Sequence, residues 1–267
     1  MRPDPRAALT AAAAAGPYFA LEPWAGGTGW RSLAGLLSDP GQLEGRVDQA
    51  RSILARSAGI APAAVERRAA ASIVFLGLAS RLVSPPLGAA VVGGVVPDLA
   101  LADLWWRPVA GGPLPLAARL TSGTAVGDLG SRQQRADAAR LLTEVCIQGL
   151  AAPAAAAFGA AFRLSPQVLW GNVASALAGA GGLLAETFPQ RAEAAGQLTA
   201  EILGLGSLRG TGDLVQPDAG RPRRFLVRRS CCLLYRIPGG GTCGDCVLVP
   251  EDARHRQWQS VLARSAG

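Results

Sequence analysis

The sequence predicts a mainly α-helical protein of the α+β class, in which a helical body carries a small antiparallel β element near the C-terminus. Three observations predict this class. Apolar residues recur at helical spacing through most of the first 205 residues, and helix-start residues precede several of these stretches. After residue 205 the composition changes, and two short strand-like stretches flank a run of glycines. We therefore expect a helical region at 1–205 and a C-terminal region at 206–267, packed as one compact unit.

The first part of the body is predicted to contain two helices. Residues 42–57 alternate apolar and charged side chains at helical spacing. A second helix is predicted over 62–82, beginning with Pro62 in its first turn, and its later half is apolar on all sides, which indicates burial. Residues 85–130 are rich in glycine and proline. The stretches LADLWWRPV and PLPLAARL within them fit short strands and extended loops equally well.

The second part of the body is predicted to contain three more helices. Ser131 has the character of an N-cap for a helix to about residue 150, and Ser165-Pro166 begins another. A third helix is predicted over about 186–205. Cys146 lies near the apolar side of the first of these helices, so we expect it to be a core residue and not a ligand.

The C-terminal region is predicted to begin with a connecting loop over 204–224. RFLVRRSCCLLYRI and CVLVP then resemble two short strands joined by a glycine-rich turn. A final helix is predicted from Pro250 onward, carrying Trp258.

Composition and charge restrict the possible functions. Apolar residues make up 49% and charged residues 17% of the chain, which is typical of a globular protein and unlike a disordered one. The net charge of +7 favours encounters with acidic partners, although a generically basic surface explains it equally well. No run of basic and aromatic residues indicates nucleic-acid binding. The single histidine, His255, excludes a two-histidine iron–sulfur site and gives no basis for a serine–histidine–acid triad.

We expect a cytoplasmic protein without a membrane span. The longest apolar region, 73–96, contains Arg81 and Pro85-Pro86, whereas a span needs roughly 20 unbroken apolar residues. The N-terminus has Asp4 and early prolines where a signal peptide would have its basic region. Five cysteines clustered toward one end also differ from a secreted disulfide framework.

Four of the five cysteines lie within residues 231–246, with the spacing C-C-x10-C-x2-C. Zinc sites commonly use two separated C-x2-C pairs, and only Cys243 and Cys246 have that spacing. The adjacent Cys231 and Cys232 reach one ion only if the backbone departs from strand alternation, whereas a two-iron core spreads its four ligand positions over a larger volume. The glycines of IPGGGT allow backbone N–H groups to approach sulfur in either case. The residues alone favour an iron–sulfur cluster over zinc, and leave a disulfide pair as a third alternative.

The segment RRSCCLLYRIPGGGTCGDC closely resembles the C-terminal signature of the FhuF-type ferric-siderophore reductases. The likeness covers the four cysteines at the same spacing and six other residues: Arg228, Arg229, Tyr235, Arg236, Gly244 and Asp245. Two shorter similarities lie upstream, ASRLVSP at 79–85 and LWGN at 169–172. The resemblance implies that a [2Fe–2S] cluster is bound by the four cysteines Cys231, Cys232, Cys243 and Cys246.

The resemblance also implies an activity. Siderophores hold ferric iron with hard oxygen donors that bind ferrous iron far more weakly, so one electron makes the complex labile. The expected function is an oxidoreductase that reduces a ferric siderophore and releases Fe(II) in the cytoplasm, with a ferredoxin-like electron donor.

Positive side chains near the cysteines fit this expectation. Cations stabilise the reduced form of a negatively charged cluster, so Arg228, Arg229 and Arg236 are candidate supporting residues. Tyr235 is expected to pack beside the cluster. The alternative is that some of these arginines pair with nearby aspartates.

Two other functions remain open. The cluster is also compatible with an electron-transfer module for a biosynthetic redox partner, or with a structural or sensor metal site. The tryptophans at 105, 106, 170 and 258 fit either the core or a pocket for a bulky chelate, and the core is the commoner place for them. No nicotinamide or flavin motif is apparent, because GLGSLRG follows a predicted helix and not a strand.

Overall fold

The structure, a computed structural model, describes residues 4–264. The first three residues of the predicted body and the last three of the predicted C-terminal region lie outside this range. Helices account for 60% of the protein and the strands form small, largely antiparallel sheets, which confirms the predicted mainly α (α+β) class.

The helices are numbered in chain order, and their bounds are as follows: α1 (Pro5–Ala12), α2 (Leu33–Ser38), α3 (Pro40–Ala58), α4 (Arg67–Gly93), α5 (Arg132–Leu142), α6 (Ala152–Phe162), α7 (Pro166–Thr187), α8 (Ala192–Leu203) and α9 (Glu251–Arg264). A π-helical stretch, Thr143–Ala151, joins α5 to α6. The two long helices α4 and α7 pack against each other at the centre of the body, and α1, α3 and α6 pack around α4.

The strands are short: β1 (Glu22–Pro23), β2 (Arg31–Ser32), β3 (Val95–Pro97), β4 (Leu104–Trp106), β5 (Leu116–Ala118), β6 (Gly123–Ala125), β7 (Gly212–Val215) and β8 (Phe225–Arg228). They form a four-stranded sheet in the order β1-β5-β4-β2 and the two-stranded sheets β3-β6 and β7-β8. Only the β1–β5 pairing is parallel among the described strands. The two stretches at 85–130 that the sequence left undecided therefore contribute paired strands, β4 and β5.

Helix α4 differs from its prediction at both ends. Pro62 belongs to a separate 3-10 turn, Pro62–Ala64, and α4 starts at Arg67. The helix then continues through Pro85-Pro86 to Gly93. Each proline removes one helical hydrogen bond and costs about 3 kcal/mol in an isolated helix. Here the whole stretch 81–91 is buried against neighbouring elements, so tertiary packing offsets that cost.

Three helical segments are long and apolar enough to cross a membrane, judged by length and composition: Arg67–Gly93, Arg132–Phe162 and Pro166–Thr187. The expectation that no stretch has these properties is therefore wrong, because Arg81 and the two prolines do not interrupt α4. Within the protein, 72% of the apolar window of the first segment and 78% of that of the third are buried. The apolar side chains of α4 and α7 thus form much of the core.

Other helix predictions are confirmed with shifted ends. Ser131 caps α5 in a capping box with Gln134, and Ser165 caps α7 through the Val168 N–H. The helical path after Ser131 continues beyond residue 150 to Phe162. Helix α8 begins at Ala192 and not near 186, since the chain first passes through a 3-10 turn that starts at a proline.

The C-terminal region contains an antiparallel pair of strands, as predicted, but one of the two strands is not the predicted one. Strand β8 pairs with β7, in the register Gly212↔Arg228 to Val215↔Phe225, and not with the segment CVLVP. The four clustered cysteines themselves lie outside the strands of the described chain. The β7–β8 hairpin packs on α7, and β8 ends at Arg228, immediately before the cysteine pair.

Candidate metal centre

The four clustered cysteines lie at the edge of the helical body with unequal burial. Cys232 and Cys246 are buried, whereas Cys231 and Cys243 are partly exposed, and all four are free thiols. Two of the four cysteines therefore lie on the side of the protein core, and the other two lie where another molecule can reach them.

The thiols interact with one another electrostatically. A hydrogen bond with Cys243 lowers the pKa of Cys232 to about 6 and raises the pKa of Cys243. Burial raises the pKa of Cys231, and the charges of Cys232 and Cys246 raise it further. The two halves of the C-C-x10-C-x2-C motif are therefore brought together by the fold.

The backbone departs from strand geometry directly after the cysteine pair, as adjacent ligands require. Leu233 has a left-handed conformation, with φ of 68°. This turn lets the Leu233 N–H donate to Cys231 Sγ at 3.3 Å, and the Leu234 N–H interacts with the Cys232 sulfur. Backbone N–H groups directed at sulfur stabilise thiolates and tune a bound centre.

The three glycines between the cysteine pairs are each needed for a local reason. Gly239 and Gly241 have positive φ values of 74° and 63°, which side chains rarely adopt. At Gly240 a Cβ atom would lie 2.8 Å from the carbonyl oxygen of Leu234. The loop therefore closes tightly onto the turn that follows the first cysteine pair.

Helix α9 supports the second cysteine pair. The indole Nε1 of Trp258 donates to the Gly244 carbonyl at 3.1 Å, inside the C-x2-C turn. Arg254 donates to the Cys246 carbonyl at 3.3 Å. Trp258 is fully buried and stacks on Phe225 of β8. The last helix thus fixes the turn relative to the β7–β8 hairpin.

Arg228 provides a buried positive charge beside the cysteines. Its side chain is 1% exposed, and its charge contributes to the pKa values of Cys231, Cys232 and Cys243. Its Nη2 donates to Asn172 Oδ1 at 2.8 Å, whereas Nε and Nη1 are buried without a partner among the described residues. A buried cation with open donors is costly unless a negative group faces it.

A polar chain connects Arg228 to the two central helices. Asn172 of α7 donates through Nδ2 to the Ser72 carbonyl at 2.9 Å and lies 3.0 Å from Ser72 Oγ. The Ser72 hydroxyl of α4 donates in turn to the Cys232 carbonyl at 2.7 Å. Gly171 leaves room for the guanidinium, since a Cβ there would lie 2.8 Å from Arg228 Nη2. The LWGN stretch therefore positions Arg228 against the cysteines.

These residues fit an iron–sulfur cluster. A [2Fe–2S] core with four thiolate ligands carries a net charge of about −2 when oxidised and about −3 when reduced. The unpaired Arg228 guanidinium supplies a complementary charge from the buried side. In the part of the chain that the structure describes, no group of three or more histidine, cysteine or acidic side chains, the four cysteines included, lies in an arrangement that could hold a metal ion.

Asp245 lies between Cys243 and Cys246 and faces the body. Its carboxylate accepts a hydrogen bond from Ser175 Oγ of α7; burial raises its pKa, and this hydrogen bond and the charges of Arg228 and Arg223 partly oppose that rise. Its carbonyl accepts from the Arg228 N–H at 3.3 Å. Asp245 thereby joins the C-x2-C turn both to α7 and to β8.

The other predicted supporting residues lie at the surface. Arg229 forms an ion pair with Asp213 at 3.1 Å, and Arg236 forms one with Glu66 at 2.9 Å. Tyr235 is 49% exposed in the turn after the cysteine pair. Of the three arginines within the signature, Arg228 is the buried one; it forms no ion pair within 4 Å in the described structure, although its charge acts on the buried Asp245 carboxylate.

The structure also shows where the other residues discussed in the sequence analysis lie. Cys146 is buried in the main core, as predicted, and His255 lies exposed on α9. Trp106 is buried, Trp105 stacks on Trp24, and Trp170 lines a surface cavity.

Sequence reasoning missed several residues around the cysteines. Ser72 and Ser175 lie in helices far from the motif in sequence, and Gly171 and Asn172 belong to the LWGN stretch, to which the sequence assigned no role. One sequence feature could have revealed them: Asn172 and Ser72 are polar residues inside apolar helices, and buried polar groups need hydrogen-bond partners.

Comparison with known proteins agrees with the chemistry of this segment. A family model described as the FhuF 2Fe-2S C-terminal domain matches residues 228–248. No curated protein matches the chain. The segment 228–248 is thus similar to the FhuF 2Fe-2S C-terminal domain, and this similarity points to a [2Fe–2S] cluster as the cofactor.

Proposed function

We propose that the protein is a ferric-siderophore reductase that acts in the cytoplasm. A ferredoxin-like carrier loses one electron and the iron of a docked ferric siderophore gains it. No bond within the siderophore is cleaved, and Fe(II) dissociates because hard oxygen donors hold it weakly. The observation that carries the proposal is the buried, unpaired Arg228 guanidinium beside four free thiols, within the segment that matches the FhuF domain.

Each cysteine has an assigned role in this proposal. Cys231, Cys232, Cys243 and Cys246 hold the cluster, which when bound accepts and donates single electrons. The N–H of Leu233 directs a hydrogen bond to the first of these sulfurs. The partial exposure of Cys231 and Cys243 leaves the site accessible to a second molecule.

Arg228 acts as a positioning residue with a fixed charge. Its guanidinium is held by Asn172, which is itself tied to Ser72, so the charge does not swing away into solvent. A fixed cation favours whichever state of the site carries more negative charge. Arg228 therefore eases electron uptake.

The electron donor is proposed to approach from the exposed side of the cysteines. Val247 and Leu248, directly after Cys246, are 40% and 55% exposed, although both are large and apolar. A surface cavity beside Ser230 is lined by Trp170 and Arg209. Exposed apolar and basic groups suit an acidic carrier protein.

The two predicted regions have complementary roles in this proposal. Residues 1–205 form the docking body and 206–267 the cluster-binding region, packed as one unit. Their packing involves β8 on α7 and the turn after the cysteine pair on α4. A simple electron carrier would need little beyond the second region, so the large body supports a substrate-binding role.

The proposal is tested with anaerobically purified protein. Dithionite should bleach the visible absorbance of the cluster, and addition of ferric siderophores should restore it while a ferrous chelator traps Fe(II). The Cys243→Ser variant should lose the cluster spectrum and this activity. Cys146→Ser is the matched control and should keep both, because Cys146 lies in the core.

Two outcomes would contradict the proposal. A colourless preparation containing one zinc per chain would exclude electron transfer. A reduced cluster that no ferric siderophore reoxidises, but that a redox protein does, would identify an electron-transfer module instead.

A further inference from the structure

We propose that a groove along α4 binds the ferric chelate and delivers it to the C-x2-C turn. This inference rests on the proposed function and adds the place where the substrate binds. The groove consists of two adjoining cavities, here called the outer cavity and the inner cavity.

The two cavities adjoin each other and share lining residues. The inner cavity, of about 370 Å³, lies between α4 and α7, and the outer cavity, of about 340 Å³, lies between α3, α4 and the segment 111–114. Tyr18, Ile73 and Gly77 line both. Each volume is within the range of small-molecule sites, and together they accommodate a bulky ligand.

The inner cavity reaches the cysteine motif. Asp245 forms part of its lining, next to Ser175, with which it is hydrogen-bonded. Because Asp245 lies between Cys243 and Cys246, a ligand in the inner cavity touches the turn that carries two of the four proposed ligands. Electron transfer needs such proximity between donor and acceptor. The surface cavity beside Ser230 shares no lining residue with this groove.

The side chains that line the groove suit the outer surface of a chelate that holds its metal with six oxygen donors. Such a chelate turns its oxygen donors inward to the metal and presents carbon linkers outward. The outer cavity is lined mainly by apolar side chains, including Leu54 and Phe158. The inner cavity adds Ser84 and Ser80; the Ser80 hydroxyl donates to the Leu76 carbonyl at 3.0 Å, and its oxygen can accept from an amide N–H of a linker. Apolar walls with a few polar groups are typical of small-molecule sites.

One cation lies at the outer end. Arg46 lines the outer cavity, where burial lowers its pKa, and its Nη1 donates to Gln49 at 3.2 Å. It forms no ion pair with a carboxylate in the described part of the chain. The groove thus has one cation at its outer end and the Asp245 carboxyl group at its inner end, which suits a chelate of small or zero net charge better than a highly charged anion.

Arg81 holds the groove in shape before any ligand enters. Its guanidinium is buried and donates to the carbonyls of Pro17, Tyr18 and Ala20, while its Nε donates to the Leu114 carbonyl at 2.7 Å. Two segments that border the groove are therefore tied to α4 by one side chain. Preorganised walls reduce the entropy lost on binding.

The test fills the groove at a position that tolerates a side chain. A Cβ atom at Gly77 would meet no other atom within 4 Å, and Gly77 lines both cavities. Gly77→Leu should therefore obstruct the groove while improving helix propensity. Gly45→Leu is the matched control, since Gly45 is an exposed helical glycine with equally open space and lines neither cavity.

The probes are the gallium(III) complexes of a trihydroxamate and a tricatecholate chelator, which have the charge of the ferric complexes but take up no electron. Titration calorimetry with the holoprotein should show binding of the neutral trihydroxamate complex to the wild-type protein and to Gly45→Leu, and weaker binding of the tricatecholate complex, which carries a charge of −3. Gly77→Leu should bind the trihydroxamate complex at least tenfold more weakly, with an unchanged cluster spectrum.

The outcomes separate this inference from the proposed function. If Gly77→Leu binds the trihydroxamate complex as tightly as the wild type, or if neither complex binds the wild type, the groove assignment is overturned. Wild-type protein that still reduces ferric siderophores in that case leaves the proposed function standing. Failure of that reduction overturns the function itself.

Discussion

Replacing Arg228 by methionine should lower the reduction potential of the cluster. Methionine has a similar length and no charge, so the substitution removes the buried cation while filling most of its volume. The wild-type guanidinium is 1% exposed and makes one side-chain hydrogen bond, to Asn172. Solvent therefore screens its charge poorly, and the reduced site, which carries one more negative charge, loses more stabilisation than the oxidised site.

The size of the effect follows from the burial of the charge. Two unit charges about 8 Å apart interact by about 2 kcal/mol at an effective dielectric constant of about 20. For a one-electron couple, 1.4 kcal/mol corresponds to about 59 mV. The potential of Arg228→Met should thus be lower than that of the wild type by about 90 mV.

The measurement is a spectroelectrochemical titration of the visible absorbance. Arg228→Lys is the matched control, because lysine keeps the charge while losing the planar donor geometry, and its potential should stay closer to that of the wild type. Asn172→Asp provides an independent variant, since a carboxylate beside the Arg228 Nη2 neutralises the same charge without removing the arginine. Its potential should also fall.

An intact cluster spectrum with an unchanged potential in both Arg228→Met and Asn172→Asp would refute the electrostatic role of Arg228. A fall of equal size in Arg228→Lys would assign the effect to lost packing and not to charge.

Three further predictions concern the surroundings of the cysteines. Gly240→Ala places a Cβ 2.8 Å from a backbone carbonyl and should reduce the iron content per chain, whereas Gly244→Ala, with open space around it, should not. Trp258→Phe keeps the stacking but loses the 3.1 Å bond to the Gly244 carbonyl, so the free energy of unfolding should fall by about 1 kcal/mol in a denaturant titration. Arg229→Ala breaks an exposed ion pair with Asp213 and should change the same quantity by less than ~1 kcal/mol, with no loss of cluster absorbance. A large destabilisation in Arg229→Ala would show that the ion pair has a greater role than its exposure indicates.

The helix starts were the most predictable part of the fold. Ser131 and Ser165 cap their helices through local hydrogen bonds, and local contacts are encoded by neighbouring residues. The course of α4 through Pro85-Pro86 was not predictable in this way. Two prolines oppose a helix locally, and only burial against neighbouring elements makes the helix favourable.

The strand pairing illustrates the same limit. Strand β8 was foreseen from its apolar residues, but its partner β7 lies in a segment whose glycine and proline content indicated a loop. Pairing is decided by which segments the fold brings together, and a short strand has too few residues to encode its partner.

By itself, the sequence determined the chemical identity of the site: the number and spacing of the sulfurs and the glycines between them are properties of neighbouring residues. Only the tertiary structure decided which of the nearby arginines is buried and unpaired, since Arg228 depends on Asn172 and Gly171 from a helix more than fifty residues away. The groove beside Asp245 was likewise decided by packing, because its walls come from α3, α4 and α7. The type of metal-binding side chain is set by neighbouring residues in the sequence. Burial, charge compensation and cavity shape are set by the way in which distant segments pack together.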